Sequence, residues 1–157
     1  MKFDINKSIF KSFKGENDEL LQKIFELDFK YTKIKKIFKA NNTECENVKN
    51  LLWKNFNKIK NIFLNAIVSS EYPTVSWNDF SLICNKCKIV DKVCNFSTID
   101  RIFIATNVNQ NVAGAQGARD LVRYEFLEII VRIANTKYRE TGTVSYTHLT
   151  LPTKRIV

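Results

Sequence analysis

The run TECENVKNLLWKNFNKIKNIFLNAIVS, residues 43–69, contains neither glycine nor proline, and its apolar positions Val48, Leu51, Leu52, Phe56, Ile59, Ile62, Phe63, Ala66 and Ile67 recur at three- and four-residue steps. That spacing predicts one long helix with a buried stripe. Its entry is expected at Thr43 and Glu46, which have the form of a capping box. Upstream, Leu20, Leu21, Ile24, Leu27, Tyr31, Ile34 and Phe38 repeat the same steps and predict a helix from Asn17 to about Lys39, ended by Asn41 and Asn42. The whole chain agrees with this reading. It has only 4 Gly and 2 Pro in 157 residues, well below the usual usage of about 7% and about 5%, whereas β-rich chains need turn residues every few positions. An all-α fold is expected.

Downstream of these two helices, Pro73 lacks an amide hydrogen and biases Tyr72 away from helix, which makes Ser70 to Thr74 the one plausible boundary. Ser76 can cap a helix carrying Trp77, Phe80, Ile83, Cys84 and Cys87, and Ser97 or Thr98 a second one carrying Ile99, Ile102, Phe103 and Ala105. Asn107 to Gly117 reads as a loop. A last helix is expected from Leu121 through Tyr124, Phe126, Leu127, Ile130, Val131 and Ile133 to about Tyr138. Helix, loop, helix, loop, helix on this scale suits a paired EF-hand unit. The organisation is therefore a Lys-rich helical region over 1–70 and an EF-hand-like helical unit over 71–143.

Residues 144–157 stand apart. VSYTHLTLPT, residues 144–153, resembles the translated read-through of a transposase sequencing adaptor, so this stretch is expected to be a disordered artefact and is set aside from the fold. Setting it aside removes the only histidine, His148, lowers the formal charge from +9 to +7 through Lys154 and Arg155, and leaves the native C-terminus open.

The charge is uneven. Residues 1–70 hold 14 Lys, no Arg and 8 acids, whereas 71–143 are nearly balanced. An excess of this kind favours acidic partners, although an AT-rich genome also enriches Lys and Asn without selection for binding. No apolar run approaches the roughly 18 residues of a membrane span, and the first residues lack a signal-peptide core, which points to a soluble cytoplasmic protein.

The chemistry-bearing residues are few. There is no Gly-rich phosphate loop, no nucleophile motif and no recognisable carboxylate pair, so no catalytic residue is assigned and no enzyme is expected. Asp100 and Arg101, and Arg123 and Glu125, read as helix-terminus and surface charges. Cys84 and Cys87, with Cys94 and the remote Cys45, raise a zinc hypothesis, but a structural site needs four N or S ligands in close pairs, and reduced core thiols are the better reading. A calcium loop ending at Glu125 would place Leu121 at position 8, with Gly114, Gln116 and Ala118 where oxygen ligands are needed. A loop ending at Asp100 would place Phe96 at position 8, with Ile89 at position 1, Asp91 at 3 and Val93 at 5. Neither neutralises a divalent cation, so no metal or cofactor is expected.

Three segments carry a resemblance: WNDFSLICNKCKIVD at 77–91, TIDRIF at 98–103 and RYEFLEIIVRIANTKY at 123–138. In this order they resemble the tubulin polymerisation-promoting protein family, whose core is a degenerate EF-hand-like helical domain, and they are also similar to divergent EF-hand-type proteins of protist cilia. The chain departs from the family in the insertion from Asn107 to Asp120, in Lys92 where a Gly often stands, and in the Lys-rich first half. The resemblance implies a non-catalytic protein associated with microtubules or axonemes, in the cytoplasm, cytoskeleton or cilium. Its partner would be tubulin or another acidic protein surface, with Lys30, Lys33, Lys36, Lys39, Lys54 and Lys58 as candidate contacts. Nonspecific nucleic-acid binding and residual calcium binding are the alternative readings. The first is disfavoured by the lack of Arg in the basic half, and the resemblance implies neither a membrane nor a small-molecule substrate.

Overall fold

The computed structural model describes residues 4–9, 11–12, 17–39, 41–69, 73–107 and 120–140. They form six α-helices: α1 (Asp18–Tyr31), α2 (Ile34–Ile37), α3 (Asn42–Val68), α4 (Trp77–Lys86), α5 (Phe96–Asn107) and α6 (Arg123–Asn135), with strands β1 (Val75–Ser76) and β2 (Asp120–Leu121). A π-helical turn, Thr136–Glu140, extends α6. The loop expected over 107–117 and the adaptor-like tail, His148 included, lie outside the described residues.

The long helix is α3, but its cap lies two residues before Thr43. Asn41 is the cap: its Oδ1 accepts the Glu44 amide at 3.1 Å, while its Nδ2 donates to the Glu44 carboxylate at 3.2 Å. The helix expected over 17–39 is broken in two. Asn17 starts it as expected, accepting the Leu20 amide at 2.8 Å. At Thr32 the hydroxyl turns back to donate to the Phe29 carbonyl at 2.7 Å, and the next amide, Lys33, donates to Glu128 Oε1 of α6 at 2.7 Å. A tertiary acceptor takes the donor that would have continued the helix, and the chain resumes as the short α2. Ser76 caps α4 as expected, but α5 is started by Asn95, which accepts the Thr98 amide at 2.9 Å, and not by Ser97 or Thr98.

Leu121 is not helical. It pairs with Val75, and Ser76 pairs with Asp120, in an antiparallel bridge of two residues per strand. The bridge joins the α3–α4 and α5–α6 connections, so two helix–loop–helix units sit side by side. Val75 and Leu121, one at each equivalent position, are completely buried. Each of the four helices contributes one phenylalanine to a shared chain of rings. Phe63 of α3 lies 5.5 Å from Phe126 of α6, Phe126 lies 6.2 Å from Phe80 of α4, and Phe80 lies 5.8 Å from Phe103 of α5. The composition boundary at 70–74 thus falls between two helices that share a core.

A second core lies on the other side of α6, where Phe25 and Phe29 of α1, Ile34 of α2, and Leu52 and Phe56 of α3 pack against Leu127 and Val131. Phe126, Ile129 and Ile133 face the first core. α6 is therefore buried on two faces and α3 runs along both cores. Lys49 of α3 closes the outer side of the second, 5.3 Å above the Phe29 ring and 3.0 Å from Glu26.

The end of α4 tests this backbone directly. Lys88 takes the left-handed conformation (φ 56°) while Ile89 donates to the Cys84 carbonyl at 2.9 Å, the hydrogen bond that closes a helix on a residue favouring glycine. Lys88→Gly is expected to stabilise the fold by about 0.5–1 kcal/mol in urea denaturation, and Lys88→Val to destabilise it by about 1–3 kcal/mol. Shifts of the same sign for both would rule out the left-handed turn.

Candidate functional site

The structure separates the six candidate lysines into two groups. Lys30, Lys36, Lys39, Lys54 and Lys58 have exposed side chains and form no ion pair among the described residues. Lys54 and Lys58 stand one turn apart on α3, on the side away from Leu52, Phe56 and Phe63. Lys30, Lys36 and Lys39 follow one another along the end of α1 and the whole of α2. Lys33 differs. Its ammonium donates to the Ala105 carbonyl at 2.9 Å and lies 3.8 Å from Glu128 Oε2, with only 15% of its side chain exposed.

Glu128 is the centre of an interior charge cluster that the sequence pattern does not disclose. It is 1% exposed, accepts the Lys33 amide on Oε1, and accepts Arg132 Nε on Oε2 at 2.8 Å. Nearby, Arg123 grips the buried Asp28 with two bonds, 2.6 Å from Nε and 3.1 Å from Nη2. Arg123 and Glu125 stand in the first turn of α6, as expected of helix-terminus charges; Arg123 is 40% exposed, but Glu125 is not the surface charge expected. Glu125 is also 1% exposed, and its Oε1 accepts the Val122 amide at 3.0 Å, which supplies the cap that the valine side chain lacks. A faint signal existed for each acid. Asp28 falls on the apolar face of α1, and Glu128 interrupts the run Phe126, Leu127, Ile129, Ile130, Val131. Arg132 lies one turn from Glu128, but the pairings of Lys33 with Glu128 and of Asp28 with Arg123 span 95 residues and left none.

The bridge also corrects the loop register. With Val75 opposite Leu121, the α3–α4 and α5–α6 connections are the equivalent ones, and the stretch that begins at Ile89 leads from one helix–loop–helix unit to the other. Val68, at the end of α3, is 85% exposed, and Asp79 accepts the Ser76 hydroxyl at 2.8 Å. In the connection, Asp91 Oδ1 accepts the amides of Val93 and Cys94, and its Oδ2 meets Lys137 at 2.9 Å. Those amides and the ammonium hold the Asp91 carboxyl below its ordinary range, and Asp91 holds Lys137 above its own. Positions 114, 116 and 118 of the second loop lie outside the described residues.

Cys84 and Cys94 are fully buried and Cys45 nearly so, as core thiols, whereas Cys87 is exposed at the end of α4. Burial, then the neighbouring Cys94 and Cys87, push the Cys84 thiol up to about 12. No group of three or more potential metal-ligating side chains is found among the described residues, and no described helix is long and apolar enough to cross a membrane. No protein-family model, curated protein or solved structure matches the chain.

Two measurements follow from the cluster and the thiols. Glu128→Ala leaves two cations without their buried partner and is expected to cost about 3–5 kcal/mol in chemical denaturation, against less than about 0.5 kcal/mol for the exposed Lys54→Ala. Similar costs for the two would remove Glu128 from its central role. Iodoacetamide on the native chain is expected to label Cys87 alone at pH 8, because Cys84 forms no thiolate until far more alkaline conditions. Labelling of Cys84 at the same rate would contradict its burial.

Proposed function

We propose that the chain is a non-catalytic binding module of the cytoskeleton, an EF-hand-like scaffold that presents a lysine face to acidic surfaces of microtubules or axonemes. The observation that carries this reading is the exposure of Lys30, Lys36, Lys39, Lys54 and Lys58 without ion-pair partners among the described residues. Two further features support it. The helical scaffold agrees with the one that the resemblance implies, and the terminal acids of the two loops, Asp79 and Glu125, accept hydrogen bonds at the start of their own helices. Lys33 takes no part in the proposed contact, since its ammonium is engaged in the interior. Cytoplasm, cytoskeleton or cilium is the matching location.

Attraction between exposed lysines and glutamate-rich tubulin tails acts over about 8–10 Å at physiological ionic strength, so binding should weaken with salt. Co-sedimentation with microtubules is expected to be saturable at physiological salt and to fall when subtilisin trims the acidic tails. The double change Lys54→Glu, Lys58→Glu should weaken it by about tenfold, chiefly through the association rate. No binding at any salt, or binding indifferent to both trimming and charge reversal, would overturn the reading.

A further inference from the structure

Between α2, α5 and the end of α6 lies a cleft of about 430 Å³ with Arg101 and Arg132 in its wall and Ile37, Ile102 and Ala105 beside them. We propose that this cleft binds a small organic oxyanion, its phosphate or carboxylate head between the two guanidinium groups and its compact apolar body against Ile37, Ile102 and Ala105.

Charge is the first argument. No carboxylate among the described residues lines the cleft. Behind it, Glu128 Oε2 already serves both Arg132 and Lys33, two positive charges on one buried negative charge, and Arg101 adds a further positive charge in the cleft wall. Arg132 uses only Nε in its bond to Glu128, and its two terminal nitrogens make no hydrogen bond among the described residues. These are the nitrogens that a guanidinium offers to an oxyanion in a forked contact. Glu128 fixes the orientation of this side chain from the inside, which lowers the entropy lost when the fork is used.

The second guanidinium is held as well. Arg101 Nη2 donates to Thr98 Oγ1 at 3.4 Å, and that hydroxyl donates in turn to Asn95 Oδ1 at 3.2 Å, a chain running back to the start of α5. Size and lining give the class of ligand. The volume lies within the range of small-molecule sites, about 300–1,000 Å³, and a polar head with an adjoining apolar wall suits an organic anion better than a bare ion. The cleft spans elements of both cores, Ile37 on α2, Arg101 on α5 and Arg132 on α6, so an occupant would also raise the stability of the whole fold by linkage.

The test is titration of the full chain with phenyl phosphate, benzoate, inorganic phosphate and, as a cationic control, benzylamine, followed by calorimetry and by thermal unfolding. Either phenyl phosphate or benzoate is expected to bind saturably at one site, more tightly than inorganic phosphate, with benzylamine inert. Preference for phenyl phosphate assigns a phosphate head, and preference for benzoate a carboxylate head. Arg101→Gln, an exposed side chain outside both cores, should keep the helical circular dichroism and weaken binding about tenfold, while Lys54→Gln changes nothing. No saturable binding, or equal weakening by Arg101→Gln and Lys54→Gln, would overturn the proposal. The cleft shares no residue with the lysine face and the titration uses no microtubules, so its outcome is independent of the proposed function.

Discussion

One buried carboxylate sets the geometry of this molecule. Glu128 lies in the middle of a helix that packs on two sides, where an ionised acid is tolerated only with partners close at hand. Three groups converge on it: the Lys33 amide, the Lys33 ammonium and the Arg132 guanidinium. Each has a structural effect. The amide bond interrupts the first helix, the ammonium ties that interruption to α5 through the Ala105 carbonyl, and the guanidinium is aligned beside the cleft. Asp28 and Arg123 repeat the pattern one turn away, again joining α1 to α6. Replacing such pairs by hydrocarbon is often harmless to stability in other proteins, so their effect here is best described as fixing which face of α1 meets which face of α6.

Local patterns were easy to read because the forces behind them are local. The stripe of α3, the Ser76 cap and the apolar face of α6 follow from spacing and from the chemistry of the first turn. The errors have one common cause, which is competition between equivalent local solutions or the arrival of a distant partner. Asn41 with Glu44 and Thr43 with Glu46 are both plausible caps, and only the path of the preceding chain selects the first. Thr32 and Lys33 have no helix-breaking composition; Glu128 ends the helix there. Two-residue strands are too short for any alternation of polar and apolar positions, so the bridge between Val75 and Leu121 left no trace, and the register of the first loop was misplaced with it. The six lysines could be named from sequence, but the separation of Lys33 from the other five depends on tertiary structure.

The distribution of charge gives the molecule two different positive regions. Lys30, Lys36, Lys39, Lys54 and Lys58 have exposed side chains, and a strongly hydrated ammonium suits diffuse attraction to an acidic surface of no fixed shape. In the cleft the charges are guanidinium groups, held by Glu128 on one side and Thr98 on the other, which suits recognition of a defined anion. Lysine without arginine in the first half and arginine in the second therefore corresponds to a physical division as well as a compositional one. One helical frame carries both.

The double burial of α6 bears on synthesis. Both cores need this helix, and it follows all the others in the chain, so neither core can close while the chain is still emerging as far as α5. Until then Phe25, Phe29 and Phe56 on one side, and Phe63, Phe80 and Phe103 on the other, have no α6 to cover them. Apolar rings left uncovered in this way are exposed to wrong association in the interval. A nascent chain of this design reaches its native packing only once α6 has left the ribosome.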